Sequence, residues 1–124
     1  MSRADPHTHR RLNAHEMSLL IPYIARVDLE SAVLHTDGVP WYLPNQFCAI
    51  VRGNRVYFRP GAYEQNSAAG LALLGHELTH VTQYRNGMTA AGYLCSLVFG
   101  YMNSRYEKEA YAVQAQILED LTPP

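Results

Sequence analysis

Cysteine is scarce in this chain: Cys48 and Cys95 are the two it has in 124 residues. Neither stands in a CxxC or comparable spacing, which excludes a thiolate metal knuckle and a multi-disulfide scaffold. They read as two buried free thiols, with a single disulfide as the alternative that spacing does not decide. Charge is also sparse and nearly balanced, at 17% of residues and a formal net charge of −1. No basic face emerges, so nucleic acid is not an expected partner. Long apolar runs are missing as well. The greasiest stretch, Ala90 to Met102, spans about a dozen residues where a bilayer crossing needs ~20. It reads as a core helix, and no membrane partner is expected. Met1 to Leu12 is polar, rich in His and Arg, and lacks the apolar segment and small-residue cleavage site of a secretory signal. Residues 1–12 are therefore expected to be a flexible leader, with His7 and His9 not acting as ligands. The expected location is cytoplasmic by default, with leaderless export as the alternative. Repeats and low-complexity tracts are absent, and residues 13–124 make one domain.

Against this spare background stands His76-Glu77-Leu78-Thr79-His80, an HExxH pattern within Leu71–Val81. Residues four apart on a helix share a face, so both imidazoles can reach one metal ion. Glu77 then stands beside the metal, where a base can take a proton from water held there. The neighbours Leu73, Leu74, Leu78 and Val81 are apolar. Burying two imidazoles and a carboxylate without partners would cost several kcal/mol, and a cation such as Zn²⁺ supplies the partner.

The rest of the chain reads as α+β, a small twisted, mainly antiparallel sheet packed on helices. Leu12–Ile24 is a short helix interrupted by Pro22. Ser31–Thr36 is a strand ending at the Asp37-Gly38 turn, and Val39–Gln46, with Pro40 and Pro44, is an extended loop or edge segment. Phe47–Val51 and Arg55–Arg59 form a hairpin about Gly53-Asn54. The motif helix runs from an N-cap at Ser67 to Arg85, with Asn86-Gly87 as the C-terminal stop. Thr89–Tyr101 and Tyr106–Leu121 are two further helices. Gly75 reads as a packing glycine where the motif helix approaches a strand.

A catalytic zinc site takes three protein ligands and leaves a position open. The extended HExxHxxGxxH pattern is excluded, because Gln83 and Asn86 occupy its glycine and third-histidine positions. His7, His9, His15 and His35 all precede the motif, which leaves a carboxylate on a later helix. Glu107 and Glu109 both qualify. Ser104-x-x-Glu107 also matches a capping box, which would turn Glu107 onto the backbone. Glu109 also fits a solvated surface charge. Periodicity does not separate the two.

HELTHVTQ followed by YEKEAY resembles the gluzincin type of zinc peptidase, particularly its short members, the minigluzincins. It is also similar to the small HExxH domains found beside bacterial contractile-injection or toxin systems. The resemblance covers Leu71 to Gln116. It implies a zincin-like fold and Glu107 as third ligand, with Ala110 as the small residue that follows. Tyr111 departs from the Asp or Asn that orients a ligating histidine in such families. The implied function is hydrolysis of peptide bonds in a peptide or unfolded protein by metal-activated water, with Glu77 as general base. The resemblance further implies a substrate strand along the sheet edge, at Val39–Leu43 or on the Phe47–Arg59 hairpin. It also implies an oxyanion-stabilising group, for which Tyr84, Tyr111 and His35 are candidates. Small size suggests a latent form, with the leader (His7, His9) or the tail (Glu119, Asp120) across the metal. The competing readings are a metal-stabilised binding or assembly module with little turnover, and a metal-free helical domain.

Overall fold

The computed structural model describes residues 9–93 and 104–123. In chain order these form β1 (His9–Arg11), α1 (Ala14–Leu20), α2 (Arg26–Ser31), β2 (Val33–His35), β3 (Ala49–Arg52), β4 (Arg55–Phe58), α3 (Ala68–Arg85) and α4 (Arg105–Leu121). Residues 90–93 are also helical. The remainder of the helix expected over Thr89–Tyr101, with Cys95, lies outside the described residues. The fold is α+β, as anticipated.

The sheet has four strands in the order β1-β2-β4-β3. It is mixed and, as expected, mainly antiparallel: β1–β2 and β3–β4 run antiparallel, and β2 pairs β4 in parallel. The β3–β4 hairpin closes on Arg52 opposite Arg55, with Gly53 at φ +63° in the first central position of its two-residue turn. That is the requirement of a type II′ turn, which matches strand twist. β3 ends the sheet as an edge strand, and its inner face packs on α3.

Two expectations are corrected here. Residues 9–12 do not belong to a flexible leader: His9–Arg11 pair with β2, and Leu12 enters the core. Arg10 explains why. Its guanidinium forks onto both oxygens of Glu16 at 2.7 and 2.9 Å, which ties β1 to α1. α2 was not anticipated, because Val27 and Leu29 suggest a strand. Its Asp28 is buried and accepts from Arg85 (2.7 and 3.0 Å) and from the Thr82 hydroxyl (2.7 Å), partners fifty-odd residues away that override local preference.

α3 begins where Ser67 accepts from the Gly70 N–H at 2.9 Å. It ends in a Schellman motif: Met88 N–H donates to Gln83 O (2.9 Å) and Gly87 N–H to Tyr84 O (3.1 Å), with Gly87 at φ +111°. α3 packs most extensively on α4. Gly75 is the close-approach point, but its neighbours are side chains of two helices rather than a strand. A Cβ there would lie 2.1 Å from Ile117 Cδ1 and 3.8 Å from Leu20 Cδ2. The core joins α1, α2, the sheet and α3 through Leu20, Leu29, Leu34, Val56, Phe58, Leu74 and Leu78, and Ile117 closes it from α4. Cys48 is a free thiol on the surface, not buried as expected.

Glu16 gives this fold an acid-sensitive joint. It is wholly buried, and burial pushes its carboxyl up. The Arg10 fork, the Tyr63 hydroxyl and the Asn13 N–H outweigh that and hold it below its ordinary value of 4.5. A depressed folded-state value contributes stability above the unfolded value, lost as pH falls through the folded one. Glu16→Gln should therefore lose about 2 kcal/mol at pH 7, the order expected for hydrogen bonds to a charged group. The gap to wild type should narrow as pH is lowered below the ordinary carboxylate value, as read by urea denaturation along a falling pH series.

Candidate metal centre

α3 presents His76, Glu77 and His80 toward α4, and the first turn of α4 presents Glu107 back. All four are buried: His76 4%, Glu77 6%, His80 1% and Glu107 1% exposed. Glu107 Oε1 lies 3.0 Å from His76 Nε2, and its Oε2 lies 3.3 Å from His80 Nε2. One ligand atom from each of these three residues falls within 4.8 Å of the others, a group that could hold a metal ion. Glu77 stands beside it, with its Oε2 at 3.8 Å from His76 Nε2. The capping-box alternative for Glu107 fails. Ser104 caps α4 by accepting from the Tyr106 N–H at 3.2 Å, and the Glu107 carboxylate turns inward.

Hydrogen bonds behind the rings decide which nitrogen faces the centre. The Gln83 amide nitrogen points at two acceptors, Tyr106 O at 3.0 Å and Glu109 Oε1 at 2.7 Å. Its carbonyl oxygen is thereby left facing His80 Nδ1 at 2.7 Å. Nδ1 must then carry the proton, and Nε2 keeps its lone pair toward Glu107. His76 Nδ1 is likewise 2.8 Å from the Gln114 carbonyl oxygen. Among the described residues His80 Nε2 is the buried side-chain atom left without a hydrogen bond. A lone pair aimed at a carboxylate is an arrangement that a proton or a cation completes. Two imidazole nitrogens, one of them orphaned, and a carboxylate fit a divalent cation of zinc's preferences.

The electrostatics agree. Burial alone would raise Glu107, but the His76 bond, the facing His80 ring and the Tyr93 hydroxyl (2.7 Å to Oε2) hold it well below the usual carboxylate range. Burial opposes charge on His80, yet the facing Glu107 carboxylate and the charge of Glu77 raise it above the ordinary imidazole value. Burial raises Glu77; the two imidazoles oppose this, and the Glu107 charge adds to it. Glu77 is thus the more basic of the two carboxylates, as a proton acceptor requires.

Beside the centre lies a small cavity of about 30 Å³, lined by Leu43, Phe47, Ala49, Ile50 and Tyr93 with His76, Glu77 and Glu107. On this measure one water takes ~10–15 Å³, so the space admits a water or two and no peptide. The cover is the segment 39–48, which folds as two consecutive turns rather than an extended edge. Arg59 clamps it, donating to the carbonyls of Phe47 (2.7 Å), Leu43 (3.1 Å) and Pro44 (3.0 Å).

Of the residues anticipated from sequence, His76, Glu77, His80 and Glu107 meet. Glu109 does not join them as a ligand but stands behind Gln83. Tyr111 packs edge-on against the His76 ring at 4.5 Å, while Gln114 takes the Nδ1 position that an Asp was expected to fill. The Tyr84 hydroxyl reaches Val51 O at 3.2 Å, and His35 stacks between His9 and Tyr57, so neither lines the cavity. His9 lies in β1, and Asp120 accepts from Tyr23 at the far end of α4, which leaves neither across the metal centre. His7 lies outside the described residues. Gln83, Gln114 and Tyr93 were missed. Gln83 sits three residues after His80 and Gln114 seven after Glu107, both on the ligand faces of their helices, which was the available signal. Tyr93 arrives after a chain reversal at Gly87 and carried none.

The family model of the eCIS core domain matches residues 26–88, just over half of the chain. The match takes in α2, β2 to β4 and all of α3 with His76, Glu77 and His80, and it stops short of Glu107. No curated protein and no solved structure matches the chain.

Protein loaded with zinc and passed into metal-free buffer should retain it in equimolar amount by mass spectrometric metal analysis. Glu107→Ala and His80→Ala should retain almost none. Glu109→Ala should still reach equimolar zinc when the metal is saturating, since it leaves the three donors in place.

Proposed function

The chain belongs to the eCIS core domain family, and on that premise we propose that it is a zinc-dependent peptidase of gluzincin type, working in association with an extracellular contractile injection system. The observation that carries this reading is the convergence of His76 Nε2, His80 Nε2 and the Glu107 carboxylate with Glu77 beside them. His76, His80 and Glu107 would hold the cation. When bound, such an ion lowers the pKa of water toward neutrality and polarises a carbonyl. The remaining work falls to side chains. Gln83 and Gln114 hold the two rings with their Nε2 atoms inward. The Tyr93 hydroxyl fixes one Glu107 oxygen. Glu77, made more basic by burial, takes a proton as the water oxygen bonds to the peptide carbonyl carbon. It returns that proton to the nitrogen as the C–N bond breaks, giving a carboxylate and an amine. A peptide would pair along β3, the edge strand whose Ala49 and Ile50 line the cavity.

One observation favours a second reading, a metal-stabilised module of the injection assembly with little turnover: the cavity is too small for a peptide. The two readings differ at Glu77. Glu77→Gln should keep zinc in both. Under the peptidase reading it should also lose at least about 10²-fold in cleavage of a quenched unstructured peptide, the usual scale of general-base catalysis. A wild type with no cleavage above that of Glu77→Gln would leave the module as the function.

The cover supplies a further expectation. Arg59→Ala removes three hydrogen bonds from segment 39–48 without touching the centre. Turnover of the same peptide should rise, and zinc loss to a chelator should quicken. Unchanged values for both would show that the segment does not gate the site.

A further inference from the structure

Glu109 fits neither reading that its sequence position suggested. It is not a ligand, and it is not an idle surface charge. Its Oε1 accepts from the Gln83 amide nitrogen at 2.7 Å, and Gln83 Oε1 in turn faces His80 Nδ1 at 2.7 Å. These contacts form a chain from an exposed carboxylate on α4 to a buried ring on α3. A primary amide is nearly symmetric in shape, so its orientation is set by what its two ends meet. The backbone acceptor Tyr106 O binds the same Gln83 nitrogen at 3.0 Å. Either acceptor opposes the flipped amide, and the two together leave Oε1 only one place to point.

We infer that Glu109 is a positioning residue for the metal centre: it orients Gln83, which holds His80 in the form whose Nε2 can bind the cation. Were the amide to flip, its nitrogen would face Nδ1 as a donor. Nδ1 would then have to be the acceptor, the ring proton would move to Nε2, and the ligand lone pair would be lost. The same acidic residue that competes with Glu107 for the ligand role therefore supports a different ligand from two residues further along α4. This inference rests on the metal-centre reading above and does not depend on peptide hydrolysis.

The test is zinc affinity, measured by competition with a chromophoric chelator on the full chain. Partners behind a metal-bound histidine are worth ~10- to 100-fold in affinity. Glu109→Ala should weaken zinc binding about tenfold, the low end of that range, because Tyr106 O still restrains the amide. Glu109→Gln can present an acceptor oxygen and should stay near wild type. Glu109→Lys presents only donors to the Gln83 nitrogen and should be weaker than Glu109→Ala. A double-mutant cycle separates positioning from general support of the fold. In a Gln83→Ala background, Glu109→Ala should cost nothing more, because the partner through which it acts is gone. The slowly exchanging Nδ1–H of His80 in the zinc-loaded protein should be visible by NMR for wild type and Glu109→Gln, and lost in Glu109→Lys. Equal affinity of wild type, Glu109→Ala and Glu109→Lys would overturn the relay and leave the metal centre standing, as would additive effects in the cycle. A wild type that takes up no zinc would overturn both.

Discussion

Glu107 brings a carboxylate to a position where its residue is 1% exposed and sets each oxygen against an imidazole nitrogen of another helix. Removing a carboxylate from water is expensive unless charge and hydrogen bonds replace the lost hydration. Here the replacement comes from two rings and a phenol, and all three have little freedom. His80 and His76 are fixed from behind by Gln83 and Gln114, and Tyr93 donates at 2.7 Å. With Glu77 alongside, the cluster holds two carboxylates and two imidazoles in a largely buried space. Two carboxylates cannot both remain ionised there unless positive charge sits between them, as protons on the rings or as a cation. That requirement accounts for the burial, the orphaned His80 nitrogen and the opposed shifts of Glu107 and Glu77.

The close approach of α3 to α4 makes the cluster possible. Gly75 lies one residue before His76, and Ile117 fills the space that a side chain there would take. The stop at Gly87 has an equal part. By ending α3 in a Schellman motif it sends the chain away from the helix axis, so that Tyr93 and then Glu107 can return to the same face. On the other flank β3 and the turns of segment 39–48 close the centre, held by one guanidinium. The candidate metal ligands thus come from two helices, while a loop and an edge strand line the approach to them.

Much of this was legible in the residues. The motif helix was read from its Ser67 cap to its Asn86-Gly87 stop because capping is local chemistry. The hairpin was read from Gly53-Asn54 for the same reason. The residues alone could propose Glu107 but not choose it, since Ser104-x-x-Glu107 is an equally good local pattern; only the family resemblance favoured it over Glu109. Only the tertiary placement of His76 and His80 decides that the carboxylate faces inward. Where sequence reading failed, long-range partners were responsible. α2 exists because Asp28 finds Arg85 and Thr82, and β1 because Arg10 finds Glu16 and its strand finds β2. Short segments of that kind carry too little intrinsic preference to declare themselves.

The boundary of the family match adds a last constraint. Residues 26–88 carry His76, Glu77 and His80, but two imidazoles do not make a three-donor metal set. The third donor comes from α4, beyond the match, and α4 also supplies Gln114 and Glu109 behind the rings. A cation held by all three donors can bind fully only when α4 is docked on α3. Its binding free energy is therefore added to the docking of those helices, and undocking α4 must release it. Metal binding at this centre would therefore make it and the α3–α4 interface one thermodynamic unit. A force or partner that shifts α4 would act on the metal without approaching the cavity.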